Sequence, residues 1–208
     1  AYTVSIKTDG TIWSWGRNFF GTLGLGNTTD YSSPKQVGAL TNWLSVSCGQ
    51  AHTVSIKTDG TLWSWGNNSA GQLGLGNKTY YSSPKQVGAL TNWLSVSCGQ
   101  YYTISAKTNG TLWSWGQNQF GQLGLGNTTP YSSPKQVGAL TNWLSVSCGV
   151  DHNVSIKTDG ALWSWGKNDY GQLGLNTAIA YYSSPKQVGA LTTWSSVACG
   201  HQYTVSIK

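Results

Sequence analysis

The stretch SSPKQVGALTNWLSVSCG occupies residues 32–49 and stands again, letter for letter, at 82–99 and 132–149. It returns at 183–200 as SSPKQVGALTTWSSVACG. The spacing is 50, 50 and then 51 residues, with the extra residue falling before Ser183. A fixed period of this length marks a repeat architecture, in which each copy is one supersecondary unit that buries its apolar faces against its neighbours. The copies run as units 1–50, 51–100, 101–150 and 151–201, followed by a partial fifth, 202–208, that repeats the opening strand. The first two units differ at only eight positions. No linker or shift in composition interrupts them, so the chain reads as one continuous array over 1–208.

Inside a unit the apolar period is two, the period of a pleated strand. In the second unit Val54 and Ile56 alternate with Thr53, Ser55 and Lys57. Thr58-Asp59-Gly60 then signals a tight turn, because glycine accepts positive φ without strain. Leu62 and Ser64 alternate with Trp63 and Trp65 in a second strand, and a Gly- and Asn-rich loop runs from Gly66 to Asn77. Pro84–Val87 reads as a short third strand, since proline is tolerated at a strand start. Leu94, Val96 and Cys98 read as a fourth. Four strands in each unit, repeated, predict an all-β chain of four-stranded antiparallel propeller blades.

Composition agrees. Only 9% of the 208 residues are charged, against roughly 25% in an ordinary soluble domain. Glu and Met are absent, while Gly, Trp and Tyr number 27, 12 and 11. Strong helix formers are too scarce for a helical bundle, and the aromatic content is wrong for a disordered chain. No apolar run is long enough to span a membrane as a helix. The net charge of +6 comes from lysines that recur at fixed places in each unit, such as Lys7, Lys57, Lys107 and Lys157, with no basic run. Nucleic acid is therefore not expected as a partner.

These residues carry a family resemblance. DGTLWSWGNNSAGQLGLGN, then SSPKQV, then WLSVSCGQAHTVSIKTDG resembles the repeat of the regulator-of-chromosome-condensation family. The GQLGLG element, the W-x-W-G strand end and the V-x-C-G-x-x-H-T segment all match, in each of the four units or nearly so. The resemblance implies a β-propeller, usually seven-bladed. Four units are fewer than that, so the array is expected to form part of a larger ring, with a ring shared by two chains or a small four-bladed ring as the alternatives.

Positions that change between otherwise identical units are the candidates for specific function, since loops on a rigid scaffold are where binding concentrates. They fall after W-S-W-G (Arg17, Phe19, Phe20, Phe120, Lys167, Asp169 and Tyr170) and after S-C-G (His52, Tyr101, Tyr102, Asp151 and His152). A third patch precedes S-S-P, with Asp30, Tyr80, Pro130 and Ala178-Ile179-Ala180. Drift at loop tips is the plain explanation of such variation; a recognition surface rich in Tyr, Phe, His and Arg is the functional one.

Catalytic readings are weak. His52 and His152 share one repeat position with Tyr2, Tyr102 and Tyr203, and a general base would not exchange with tyrosine. Asn109 replaces Asp9, Asp59 and Asp159 in the turns, which suits a turn and not a catalytic carboxylate. Cys48, Cys98, Cys148 and Cys199 recur once per unit and read as small buried hydrophobes. No C-x-x-C pair, nucleophile elbow or phosphate-binding loop occurs, so no metal, cofactor or enzymatic activity is expected. Six Asn-x-Ser/Thr sequons (Asn27, Asn67, Asn77, Asn109, Asn127 and Asn153) are what an Asn/Ser/Thr-rich chain produces by chance.

The sequence thus points to a non-enzymatic interaction or structural scaffold that binds a protein partner. Its near-identical blades and low charge suit an extracellular or virion-surface setting and multivalent contact. The second reading is a carbohydrate-binding propeller that stacks sugars on loop aromatics. Guanine-nucleotide exchange, which the resemblance also permits, ranks below both.

Overall fold

The computed structural model describes all of residues 1–208. It contains seventeen strands and no helix, hence none long and apolar enough to cross a membrane. The strands form five antiparallel sheets. Three are complete blades. The first joins β4 (Trp43–Cys48), β5 (His52–Lys57), β6 (Leu62–Gly66) and β7 (Tyr81–Gln86). The second joins β8 (Trp93–Cys98), β9 (Tyr102–Lys107), β10 (Leu112–Gly116) and β11 (Tyr131–Gln136). The third joins β12 (Trp143–Cys148), β13 (His152–Lys157), β14 (Leu162–Lys167) and β15 (Tyr181–Gln187). They are flanked by a three-stranded sheet, β1 (Tyr2–Ile6), β2 (Ile12–Gly16) and β3 (Tyr31–Gln36), and by the pair β16 (Ser196–Cys199) and β17 (Thr204–Ile207).

Each blade is offset from the sequence unit. The WLSVSC segment that closes one unit is the innermost strand of the following sheet, paired with the next unit's opening strand through Val46–Ser55 and Cys48–Thr53. This offset ties consecutive units together by main-chain hydrogen bonds as well as by side chains. The third strand is longer than its sequence signal, running Tyr81–Gln86 with Pro84 inside it. It is the outermost strand, so proline's missing N–H falls on an edge where no ladder bond is needed. Lys85 beside it also blunts that edge against pairing with other chains.

The second strand of each complete blade is buried on both faces: all six residues of β5, β9 and β13 are inaccessible. Period two therefore separates two interfaces here, not an inside from an outside. The equivalent β1 alternates between half-buried and exposed, because no inner strand lies beside it. Polar residues in these strands are hydrogen-bonded; Ser55 Oγ donates to Ser45 O and Thr53 Oγ1 to Thr22 O.

The blades are joined by the G-x-L-G segment. Gln72 O accepts from Trp115 Nε1 and from Thr103 Oγ1, each at 2.9 Å and each from the following blade. Thr22 O does the same for Trp65 and Thr53, and Gln122 O for Trp165 and Asn153. Gly74 must be glycine: its φ is +72, and a Cβ there would lie 2.8 Å from Trp115 Nε1.

The expectation of buried cysteines needs correction at one end. Cys98 is buried, and Cys148 and Cys199 are half-buried, each with its backbone N–H on a serine of the preceding inner strand. Cys48 has no earlier inner strand to cover it and is exposed. All four are free thiols. Burial pushes the thiols of Cys98, Cys148 and Cys199 up, Cys98 to about 12, so these three are not thiolates at neutral pH.

Candidate functional site

Because each blade is an antiparallel meander, its connections alternate between two ends. The segments 49–51 and 67–80, with their counterparts, lie at one end; 58–61 and 87–92 lie at the other. All three variable patches of the sequence therefore fall at a single end, the loop end. The opposite turn end is nearly invariant, and Asn109, Ala161 and Thr193 are its only departures from the common pattern.

Two adjoining cavities open at the loop end. One, of about 260 Å³, is lined by Tyr2, Arg17, Phe19, Phe20, Gln50 and Tyr101 among others. The other, of about 490 Å³, includes Phe20, Asn67, Lys78, Tyr101, Gln117 and Gln119. Phe20 and Tyr101 border both, so residues of three units meet in one concave strip. Phe19 packs edge-on against Phe20, with centroids 4.8 Å apart, and Phe20 against Tyr80 at 5.5 Å. The Arg17 guanidinium lies 5.9 Å from the Phe19 ring. Phe19 is nonetheless 64% exposed, so most of its ring faces solvent.

A second cluster occupies the fourth unit. Lys167 Nζ lies 3.1 Å from Asp169 and 4.6 Å from the Phe120 ring. Asp151 accepts from Gln122 Nε2 at 3.2 Å. Partial burial raises its carboxyl above the usual carboxylate range, against the opposing pull of Lys167 and His201. Tyr170 stands 70% exposed beside this group.

Three of the predicted site residues are not available to a partner. His52, Tyr102 and His152 are buried and reach into the next blade. His52 Nε2 meets Thr103 Oγ1 at 3.2 Å, and His152 Nε2 meets Thr204 Oγ1 at 3.3 Å. The Tyr102 hydroxyl donates to His152 O or Asn153 Oδ1, both at 2.9 Å. The Tyr/His exchange between copies is thus a choice of inter-blade hydrogen-bonding side chain, each long enough to reach the neighbour's main chain or hydroxyl. Burial lowers His52 to about 3 and His152 to about 4, so both are neutral and unsuited to act as acid or base near pH 7. The turn carboxylates are likewise structural: Asp59 Oδ1 accepts from Thr61 N and Oγ1, and Asn109 Oδ1 does the same with Thr111. No three His, Cys, Asp or Glu side chains come together as metal ligands.

Gln50, Gln117 and Gln119, which belong to the same variable loops, also line the cavities, as does Lys78, which was not singled out from the sequence. Lys78 carried a usable signal, for the equivalent positions are Thr28 and Thr128.

The fold and the sorted ends define a propeller array with a fixed turn end and a variable, concave loop end. The family profile of the RCC1-like domain matches residues 1–208, and the chain belongs to that family. It is similar to the human Protein RCC2, with 41% identity over 54 residues, a quarter of this chain and 10% of that protein. The Ultraviolet-B receptor UVR8 of Arabidopsis thaliana is 40% identical over 53 residues, covering 24% of this chain and 12% of the receptor. In three dimensions 99% of the chain superposes on human WBSCR16 with a TM-score of 0.88 and 23% identity. Prp20p from Saccharomyces cerevisiae, studied for its binding to Gsp1p and histones, gives 0.88 and 21% over 99% of the chain. The chain spans 55% and 53% of those two propellers, and about a tenth of the curated relatives, so it corresponds to part of a larger propeller.

Proposed function

We propose that the chain is a non-enzymatic scaffold whose loop end docks a protein partner. The observation that carries this reading is the segregation of the loop variation: all three variable patches lie at one end, where they build a concave strip edged by exposed aromatics. Phe19, Phe20, Tyr101 and Arg17 are residue types that dominate contact energies. The loop end carries three cations (Arg17, Lys78, Lys167) and three carboxylates (Asp30, Asp151, Asp169). Arg17 and Lys78 are the charged residues of the two cavities, while the carboxylates lie outside their linings. A partner segment that presents acidic and apolar side chains fits that local bias. The family relation supports protein binding, since Prp20p is studied with Gsp1p and histones. A surface-exposed setting suits the low charge and the Ser/Thr/Asn-rich exterior, and repeated blades suit multivalent contact.

The test is selection of peptide ligands from a displayed library, followed by competition with variants of the two ends. Phe20→Ala and Tyr101→Ala are expected to abolish binding of the selected peptides, and Lys35→Ala on the outer edge to leave it intact. Selected ligands indifferent to Phe20 and Tyr101 would refute the assignment. A glycan array that yields a loop-dependent binder would replace it with the carbohydrate reading.

A further inference from the structure

The turn of the third unit differs from its counterparts in one atom group. Asp9, Asp59 and Asp159 precede glycine in the other units; Asn109 precedes Gly110 in the third, and this is the one Asn-Gly pair in the chain. Asn109 is exposed at the turn end. Its Oδ1 accepts from Thr111 Oγ1 at 2.7 Å and from Thr111 N at 3.2 Å. Two donors on one amide oxygen draw electron density from Cγ and stabilise negative charge that develops there during attack. Gly110 has no Cβ to shield its nitrogen, and a φ of +74 bends the chain tightly at that point. The nitrogen donates to Lys107 O at 2.9 Å, the bond that must open before it can react.

We propose that Asn109 is a site of spontaneous deamidation, which converts the third turn into the aspartate turn of the other units. The Gly110 nitrogen, deprotonated by solvent base, attacks Cγ of Asn109. An N–Cγ bond forms, the Cγ–Nδ2 bond breaks, and ammonia leaves carrying a proton from solvent. Water then opens the five-membered imide, leaving a carboxylate and restoring the N–H of the amide. The balance is one water in and one ammonia out, with no oxidant or cofactor.

The surroundings give the product a role. Lys57 and Lys157 each have the carboxylate of their own turn opposing the effect of burial on the ammonium, whereas Lys107 experiences burial alone. Lys107 Nζ lies 3.8 Å from the Trp113 ring and 4.6 Å from that of Trp93. A carboxylate at 109 supplies the counter-charge that the other two stacks already have. The turn also selects the isomer. Isoaspartate lengthens the backbone by a methylene, but Gly110 O accepts from Trp143 N at 3.1 Å, and even a Cβ on Gly110 would lie 2.0 Å from Thr141 O. Ordinary α-aspartate fits the existing bonds.

The test incubates the full chain at physiological temperature and mildly alkaline pH and follows the tryptic peptide 108–135 by fragmentation mass spectrometry. That peptide also contains Asn118, whose side chain is buried and tied to Asn127 O, and Asn127, which is followed by Thr128. Acid is expected at Asn109 roughly tenfold faster than at either internal control. The Asn109→Asp variant provides the chromatographic standard for α-aspartate, which should predominate in the folded protein and not in the denatured chain. Thr111→Ala, which the fourth unit shows to be compatible with the turn through Ala161, should slow the reaction severalfold. Equal rates at the three asparagines, or a rate unaffected by Thr111→Ala, would overturn the proposal. An isomer ratio unchanged by folding would remove the selection of α-aspartate.

Discussion

At the turn end of the blades Lys57 sits 3.8 Å above Trp63 and 4.8 Å from Trp43, and the same three-residue stack recurs around Lys107 and Lys157. At the loop end the equivalent positions hold Phe19 and Phe20, Ser69 and Ala70, Gln119 and Phe120, or Asp169 and Tyr170. The two ends belong to the same strands and differ in what their side chains must satisfy. Turn-end side chains are spent on the fold: burial between indoles lowers the lysines, and the turn threonines bond both the turn carboxylates and the neighbouring indoles, as Thr61 does with Asp59 and Trp63. Loop-end side chains beyond the G-x-L-G staple have no such obligation, and the variation concentrates among them. The net charge follows the same division, since the balanced loop end contributes none of the +6.

The largest effect expected is on the staple between blades. Trp115→Ala removes a fully buried indole and its bond to Gln72 O, and should cost about 3–5 kcal/mol in denaturant unfolding. Trp63→Ala should cost less, because Trp63 is only half-buried. Equal losses would show that the turn-end stack matters as much as the inter-blade staple.

Acid comes next. His52 and His152 are held neutral in the folded protein, at about 3 and about 4, below the 6.5 of an unfolded histidine. An unfolded chain therefore takes up protons that the folded one refuses. Their contribution is complete above pH 6.5 and is lost as the pH falls toward 3–4. The loss is on the order of 3–4 kcal/mol per histidine near the bottom of that window. His52→Tyr with His152→Tyr, the side chain that other units place there, should flatten this part of the pH profile measured by thermal melts. A double variant as acid-sensitive as the parent would assign the effect elsewhere.

A smaller change of opposite sign is expected at the turn end. In three units a threonine accepts from the first Trp of W-S-W, as Thr61 Oγ1 does from Trp63 Nε1 at 2.8 Å. Ala161 replaces it in the fourth, and Trp163 Nε1 is buried without a partner. Ala161→Thr should stabilise by about 1 kcal/mol. The smallest expected effect is at the loop end, where Phe19→Ala or Tyr170→Ala should change stability by less than about 0.5 kcal/mol. A larger loss from either would erase the contrast between the ends.

Much of this was legible in the chain itself. The glycine turns, the paired tryptophans and the alternation of Val54 and Ile56 announce strands, and the swap of Asp for Asn109 announces a turn that needs only an acceptor oxygen. His52 and Tyr102 misled because their neighbours in sequence, Ala51 and Tyr101, do face the loop end. One residue further on, the side chain enters the blade interface, and nothing local distinguishes the two. The exposure of Cys48 was hidden for a related reason, since its cover would come from another strand, not from its own.

The sequence alone determined the repeat, the four strands in each unit and membership in a propeller family, because strand periodicity and turn chemistry are local properties written fifty residues apart in near-identical copies. Only the tertiary structure decided which variable residues are surface and which are inter-blade joints, and that the variable loops share one end. Both depend on contacts between one unit and the next, and a repeated sequence states what each unit contains without stating which of its side chains the neighbour will cover.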